Sequence, residues 1–183
     1  MWNGKSWQKK NYLMLKRIAV TGPESTGKTV LTQQLANFFH GNAVPEFSRE
    51  YLLNIGKNYS LNDIVNIAKG QLKREEEIAE ISTGFLFCDT DLLVTKIWAE
   101  EVFGTCPEWI LSAFQNHRYD LYLLCYPDIP WEPDPLRENP SDRDRLFKIY
   151  EKTLQEFNMP YHIINGMENK RLLNAVNFVK KLL

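Results

Sequence analysis

A phosphate-binding motif stands near the start of the chain. Residues 22–29 read GPESTGKT, in which two glycines flank four residues and are followed by lysine and threonine. In this pattern the backbone amides face phosphate groups, the lysine reaches the β- and γ-phosphates, and the last hydroxyl holds Mg²⁺. The motif therefore predicts binding of a nucleoside triphosphate with Mg²⁺ through Gly22, Glu24, Ser25, Thr26, Gly27, Lys28 and Thr29.

Two acidic residues are candidates for the metal and for catalysis. Asp89 follows the apolar run 85–88, and a phosphate loop needs a carboxylate at the tip of a neighbouring strand to hold magnesium. Asp89 could also cap the helix that follows, and the two roles are compatible. Asp91 is close enough to reach the same cleft, or it is equally a first-turn acid favoured by the helix dipole. We predict Thr29 and Asp89 as metal residues and Asp91 as a catalytic and substrate-binding candidate.

The remaining motifs favour one class of phosphate-loop protein. A GTPase would carry Asn-Lys-x-Asp, but residues 169–172 read NKRL, and it would carry Asp-x-x-Gly, but Leu92 stands three positions after Asp89. The chain is also short for a motor ATPase and has no transporter signature. A small-molecule kinase remains. Such an enzyme needs a carboxylate for the acceptor hydroxyl, an acceptor pocket, and arginines over the transferred phosphoryl group.

The carboxylate and the pocket are predicted after the second strand, where Glu46, Arg49 and Glu50 follow a short apolar segment. Glu46 is a catalytic and substrate-binding candidate, and Arg49 is a substrate-binding one. Glu46 could instead cap a helix or pair with Arg49 structurally. Whether Glu46, Asp89 or Asp91 is the base stays open at this stage.

The arginines stand in a proline-rich segment, residues 127–145, which we call the flap. Five of the nine prolines fall between 127 and 140, so this part cannot form a regular element. We expect the flap to act as a lid, with Arg137 as a catalytic residue and Arg143 and Arg145 as nucleotide-binding residues. At least one of the three is expected to be only a solvated surface charge, since exposed charges usually are.

Hydrophobic patterning predicts an α/β protein. Strands are expected at 17–21, 42–45, 85–88, 121–126 and 161–164, and helices at 28–40, 61–81, from Asp89 to about 102, 107–116, from about 141, and 168–183. Ser60 and Asp63 resemble a capping box at the start of the long helix. Alternating strands and helices predict a phosphate-loop NTPase fold with a parallel sheet of about five strands, helices on both faces and a proline-rich lid.

Length and composition limit the other possibilities. A chain of 183 residues predicts one domain, at 16–183, after a loose tail at 1–15 that contains Trp2 and Trp7. A net charge of −1 makes nucleic acid an unlikely partner. Three widely spaced cysteines indicate free thiols, and no apolar run is long enough to span a membrane, so a cytoplasmic protein is expected. The oligomeric state is left open.

Several motifs together resemble one family. These are the phosphate loop with its Glu24-Ser25 pair, EFSREY at 46–51, DTD at 89–91 with Thr95 and Trp98, and Trp131 with Leu136-Arg137. Their order and spacing are similar, from about residue 17 to the end, to the nicotinamide riboside kinase domain of NadR-type NAD-biosynthesis proteins. The acidic Glu24 is the most telling feature, because a carboxylate beside phosphate is costly unless it points away or meets an arginine.

The resemblance implies ATP-dependent phosphorylation of the 5′-hydroxyl of nicotinamide riboside. It also implies an aromatic residue stacked on the nicotinamide, for which Trp131 is the matching position and Tyr51 a weaker second. Trp131 could instead be a hydrophobic anchor for the flap. The chain lacks a His-x-Gly-His signature, so adenylyl transfer and repressor function are not expected.

We therefore expect a kinase that uses ATP and Mg²⁺ on nicotinamide riboside or another nucleoside, with Lys28 among its catalytic residues. Two alternatives remain: a kinase for a different metabolite, and a regulatory switch that hydrolyses ATP and signals through the flap.

Overall fold

A computed structural model describes residues 14–56 and 58–183. The predicted loose tail, with Trp2 and Trp7, lies outside these residues except for its last two positions. In the described part of the chain, no helix is both long and apolar enough to cross a membrane.

The described residues form five strands and seven helices, with two helices in succession after β2 and again after β3. The strands are β1 (Lys16–Thr21), β2 (Asn42–Val44), β3 (Phe85–Asp89), β4 (Leu121–Cys125) and β5 (Tyr161–Ile164). The helices are α1 (Lys28–Phe39), α2 (Phe47–Ile55), α3 (Leu61–Glu80), α4 (Leu92–Phe103), α5 (Glu108–Asn116), α6 (Arg143–Glu156) and α7 (Glu168–Val179), and a short 3₁₀ turn (Lys180–Leu182) follows. The five predicted strands are all present, within two residues of their expected bounds.

The helix α2 was not predicted, and two helix bounds differ from expectation. The apolar residues Phe47, Tyr51, Leu52 and Ile55 recur at helical spacing, so this helix could have been predicted from the sequence. The helix α6 begins at Arg143 rather than near 141, and α7 ends at Val179 rather than at 183. The capping box at the start of α3 is confirmed, since Ser60 and Asp63 each bond to the other's backbone amide.

The sheet is parallel, in the order β2-β3-β1-β4-β5. This confirms the predicted fold class. The strands β1, β3 and β4 are largely or wholly buried, as expected where helices cover both faces of a sheet. Because parallel strands all end at the same edge, the loops after β1, β2, β3 and β4 meet there. Asp89 pairs in register with Val20, one residue before the end of β1.

Two apolar cores lie on opposite faces of the sheet. On one face α1 and α7 pack against β1, β3 and β4 through residues such as Leu31, Leu35 and Val176. On the other face α3, α4, α5 and α6 form the larger core, with Ile64, Leu93 and Phe114 among its members. These cores fix the positions of the strand ends, and the site is built at those ends.

The junction between α2 and α3 depends on one glycine. A β-carbon on Gly70, in the middle of α3, would lie 2.2 Å from Cε1 of Phe47. The Phe47 ring therefore rests directly on the α3 backbone, and the guanidinium of Arg74 stacks on it with Cζ 4.8 Å from the ring centroid. The position of Phe47 in turn sets the start of α2, next to Glu46.

We predict that Gly70→Ala destabilises the protein. Replacing a helical glycine with alanine ordinarily stabilises a helix by about 1 kcal/mol, but here the added methyl must displace the Phe47 ring. Overpacking of this kind costs about 1–3 kcal/mol, so the free energy of unfolding, measured with urea, should fall. The exposed Asn62→Ala on the same helix is the control and should leave stability unchanged or raise it. A Gly70→Ala protein as stable as the wild type would contradict the contact.

Candidate functional site

The phosphate loop lies between β1 and α1 and packs against the end of β4. Gly22 has φ +129°, and a β-carbon there would lie 2.9 Å from the carbonyl oxygen of Cys125. A side chain at this position would therefore push the loop off the sheet. The Lys28 ammonium donates to the carbonyls of Gly22 (2.9 Å) and Pro23 (2.8 Å). Lys28 and Thr29 begin a twelve-residue helix, whose N-terminus favours phosphate.

Asp89 has the properties expected of a magnesium residue. It is 2 % exposed, and its Oδ1 is buried with no hydrogen-bond partner among the described residues. Burial raises the pKa of Asp89 to about 6, while the adjacent Thr29 hydroxyl and the Lys28 charge act in the opposite direction. An unpartnered carboxylate oxygen beside a threonine hydroxyl is a donor set that suits Mg²⁺. No cluster of three potential metal ligands occurs in the described chain, so phosphate oxygens and water would have to complete the coordination.

Asp91 is the N-cap of α4, which is the structural role that the sequence offered as an alternative to a catalytic one. Asp89 was also a candidate for capping this helix, but it does not occupy the N-cap position. The Asp91 side chain accepts from the Thr21 hydroxyl at 2.8 Å and from the Leu93 amide at 3.2 Å, one bond to each oxygen. Burial raises the pKa of Asp91 to about 6. Asp91 lines the cavity, but both of its oxygens are held.

Glu46 is the more available carboxylate. It precedes α2 and forms no capping bond with its side chain. The Ser48 hydroxyl donates to its Oε1, and its backbone carbonyl accepts from Arg74 at 3.5 Å. Glu46 is half-buried and lines the same cavity as Lys28 and Thr29.

A single cavity of about 1240 Å³ joins the phosphate loop to the segment after β2. Pockets for one small molecule are usually 300–1,000 Å³, so this space suits a nucleotide and a second ligand. Outside the phosphate loop and the flap, the residues that line the cavity include Glu46, Arg49, Gln71, Asp91, Thr95 and Trp98. The sequence interpretation did not single out Gln71. The sequence could have indicated it, because Gln71 is a polar residue on the apolar stripe of α3, in line with Ile64, Ile67 and Ala68.

The two aromatic residues predicted to stack on a base do not line this cavity. The Trp131 ring lies between two arginines, with Arg137 Cζ at 5.9 Å and Arg143 Cζ at 5.8 Å from its centroid. This corresponds to the alternative role of an anchor for the flap. The Tyr51 hydroxyl donates to Asp63 at 2.8 Å, which ties it to the start of α3.

Three aromatic residues line the cavity: Tyr59, Trp98 and Tyr150. Trp98 and Tyr59 meet edge to face with ring centroids 4.9 Å apart. Trp98 Nε1 donates to the Tyr59 hydroxyl at 2.9 Å, and that hydroxyl donates to Glu138 of the flap at 3.0 Å. Trp98 was part of the family motif, but its place in the pocket could not be derived from the sequence.

The Glu24 side chain points to the flap, so the nucleotide contact predicted at this residue would be made by its backbone amide. Its Oε2 accepts from the backbone amides of Glu138 (3.0 Å) and Asn139 (3.1 Å). The neighbouring Ser25 adopts a positive φ of 52°, and its Oγ accepts from the Glu132 amide at 2.9 Å. We call these bonds the latch. They satisfy the Glu24 carboxylate away from any phosphate, as the sequence argument required.

The three flap arginines have different environments. Arg137 lines the cavity, and its Nη1 lies 3.4 Å from Ser25 Oγ. Arg143 does not line it; its Nη1 donates to the carbonyls of Ser25 (2.8 Å) and Ile129 (3.0 Å). Arg145 also lines the cavity; it is exposed and forms ion pairs with Glu101 and Asp142. Arg137 and Arg145 thus face the cavity, although Arg137 Nη1 also donates to the Glu132 carbonyl, and Arg143 joins the flap to the phosphate loop.

Arg49 is also engaged with the flap, which qualifies its predicted role in substrate binding. Its Nη2 pairs with Asp134 at 2.8 Å, so it joins α2 to the flap across the cavity. The side chain of Asp134 is largely buried in this pair, and hydrogen bonds from the Leu136 amide and Arg49 lower its pKa.

A family model described as an AAA domain matches residues 17–171 of the chain. The trifunctional NAD biosynthesis/regulator protein NadR of Salmonella typhimurium is 27 % identical over 176 residues, which cover 92 % of this chain and 43 % of that protein. A crystal structure of NadR protein in complex with NR has a TM-score of 0.76 at 22 % identity, over 91 % of this chain and 51 % of that one. A crystal structure of NadR protein in complex with NAD and AMP-PNP has a TM-score of 0.73 at 24 % identity, over 91 % and 49 %.

The resemblance predicted from the motifs is confirmed by these matches. The chain spans less than half the length of the curated relative, and about half of the chains in the two solved structures.

We predict that Asp89→Asn stabilises the metal-free protein at pH 8. The pKa of Asp89 is about 6 in the folded state against an ordinary 3.8, so the folded protein binds this proton more tightly. The resulting stabilisation is present below about pH 4 and is lost as pH rises through 6. At pH 8 the neutral amide avoids the buried charge, and the free energy of unfolding should rise by about 1–3 kcal/mol. The same change should weaken stabilisation by MgADP.

The measurement is urea unfolding at pH 5 and pH 8, with and without MgADP. The exposed Glu80→Gln is the control. An Asp89→Asn protein that gains no stability at pH 8, and that is stabilised by MgADP as much as the wild type, would remove Asp89 from the metal site.

We predict that Glu24→Ala loosens the flap. The carboxylate accepts two hydrogen bonds that are partly exposed to solvent, so together they contribute about 1–2 kcal/mol. Their loss should make local opening roughly 5- to 30-fold more frequent. Trypsin cleavage after Arg137, followed by mass spectrometry, measures this. In Glu24→Gln the amide oxygen can still accept both backbone N–H groups, so the effect should be smaller. Glu132→Ala is the control because the Glu132 side chain has no part in the latch. Equal cleavage of Glu24→Ala and Glu132→Ala would show that the latch is not stabilising.

Proposed function

The chain belongs to the AAA domain family as a NadR-type member, and we propose that it is an ATP-dependent kinase that phosphorylates the 5′-hydroxyl of nicotinamide riboside. One observation carries the proposal: a single cavity is lined both by the phosphate loop and by Glu46. A phosphoryl donor and a hydroxyl acceptor could therefore meet without crossing solvent. The choice of nicotinamide riboside rests on the motif resemblance and on the relatives, and it would give nicotinamide mononucleotide.

The residues of the cavity suit phosphoryl transfer by positioning and charge neutralisation. The loop amides and Lys28 bind the β- and γ-phosphates, and Arg137 approaches the transferred group from the flap. Thr29 and Asp89 would hold Mg²⁺, which when bound neutralises charge on the phosphate oxygens.

Glu46 orients the acceptor hydroxyl. The bond from the acceptor oxygen to the γ-phosphorus forms as the bond from that phosphorus to the ADP oxygen breaks. The hydroxyl proton passes late to Glu46, so the products are ADP and a phosphate monoester. Asp91 has both oxygens held by Thr21 and Leu93, which favours a positioning role for it over that of the base.

A panel of acceptors tests the proposal. With ATP and Mg²⁺, nicotinamide riboside should yield nicotinamide mononucleotide and ADP in equal amounts, measured by chromatography. Lys28→Ala removes a cation from the transferring phosphates and should lower kcat/KM by roughly 100-fold or more. The exposed Lys152→Ala is the matched control and should behave as wild type.

Three other outcomes would contradict the proposal in different ways. Preference for another nucleoside would retain the kinase and overturn the acceptor. ATP hydrolysis that is independent of any acceptor would favour the regulatory switch. Near-normal turnover of Lys28→Ala would remove the nucleotide-binding interpretation of the loop.

A further inference from the structure

Gln71 is a buried polar side chain on the acceptor wall of the cavity. It lies on α3 with 3 % of its surface exposed, among apolar neighbours of the same helix stripe, and it lines the cavity. A glutamine in such a position costs free energy of folding unless its amide is fully hydrogen-bonded. Its bonds therefore show which part of the amide the protein itself uses.

Only the oxygen of this amide has a partner. Oε1 accepts from the backbone N–H of Phe47 at 2.9 Å, whereas Nε2 is buried with no partner among the described residues. The Phe47 N–H can only donate, so the amide oxygen must face it and the nitrogen must face away. The orientation of the amide is thus determined by the backbone of α2.

Most of the other polar groups at this end of the cavity are already occupied or can only accept, and the Tyr150 hydroxyl, which also lines the cavity, is the other possible donor. The Thr95 hydroxyl donates to the Leu92 carbonyl at 3.0 Å, and Arg49 is paired with Asp134. Ionised Glu46 and Asp91 offer acceptor oxygens alone. Hydroxyl groups of a ribose can donate to these carboxylates, but a carbonyl oxygen can only accept and needs a donor, which the buried Gln71 N–H group supplies.

We infer that Gln71 is a specificity-determining residue, whose Nε2 donates to a carbonyl oxygen on the base of the acceptor nucleoside. This inference rests on the proposed kinase function. It adds a chemical requirement to that function. An acceptor whose base carries a carbonyl or carboxamide oxygen satisfies the buried N–H group, whereas an acceptor whose base lacks this oxygen leaves the N–H group unpaired. A site built in this way rejects the analogue that lacks the oxygen.

The test compares two acceptors that differ in this oxygen alone. Nicotinamide riboside and the riboside of unsubstituted pyridine have the same ribose and the same cationic ring. Wild-type protein should prefer nicotinamide riboside in kcat/KM. In Gln71→Met this preference should fall roughly 10- to 100-fold, mainly through the KM of nicotinamide riboside, while the KM of ATP stays unchanged.

The ratio between the two acceptors separates recognition from positioning. Gln71→Met also removes the acceptor for Phe47 N–H and could displace Glu46, but this displacement lowers the rate with both acceptors alike and cancels in the ratio. Gln71→Glu, assayed at pH 8, keeps an oxygen for Phe47 N–H and lacks the donor, so it should lose the preference with the start of α2 intact. Gln115→Met, on an exposed glutamine of α5, is the matched control.

Two results would overturn the inference and leave the kinase proposal standing. In the first, both Gln71 variants lose kcat/KM equally with the two acceptors, so the ratio between them stays at its wild-type value. In the second, both variants keep wild-type kcat/KM with each acceptor. If wild-type protein phosphorylates neither riboside, nor any nucleoside of the panel, the proposed function itself fails.

Discussion

The site depends on the contact between the phosphate loop and the end of β4. Gly22 lies so close to the Cys125 backbone that a single added carbon would meet a carbonyl oxygen at 2.9 Å. Since the flap starts two residues after Cys125, this contact makes the flap begin beside the phosphate loop. The Ile129 side chain then lies 3.3 Å from where a β-carbon of Gly27 would be. The loop and the flap are therefore neighbours because the sheet places their starting points together.

Acidic groups crowd this end of the sheet, and each is accommodated differently. Glu24 turns outward to backbone amides of the flap, and Asp91 is held by Thr21 and the first turn of α4. Asp89 retains an unsatisfied oxygen next to Thr29. Among these three carboxylates, Asp89 keeps a buried oxygen that a cation could use, whereas the side chains of Glu24 and Asp91 accept hydrogen bonds from the protein.

Much of the fold could be predicted because the signals were local. The apolar runs of the strands, the Ser60 cap and the glycines of the phosphate loop each act over a few residues. The contacts of Arg143 and Gln71 could not be predicted, since they depend on which distant groups the fold brings near, and for Trp131 the sequence left stacking and anchoring both open. Arg143 meets the Ser25 carbonyl across 118 positions of sequence, and the Phe47 amide that orients Gln71 is 24 positions from it.

The latch between loop and flap joins a side chain to backbone, and this has a consequence for how the protein can change. Glu24 and Ser25 accept from the peptide N–H groups of residues 132, 138 and 139, which every residue except proline possesses. The flap can therefore exchange many of its side chains by mutation and remain anchored at the same points. A segment attached in this manner is a favourable place for directed evolution of acceptor preference, because new side chains can be tried over the cavity at little risk to the nucleotide end.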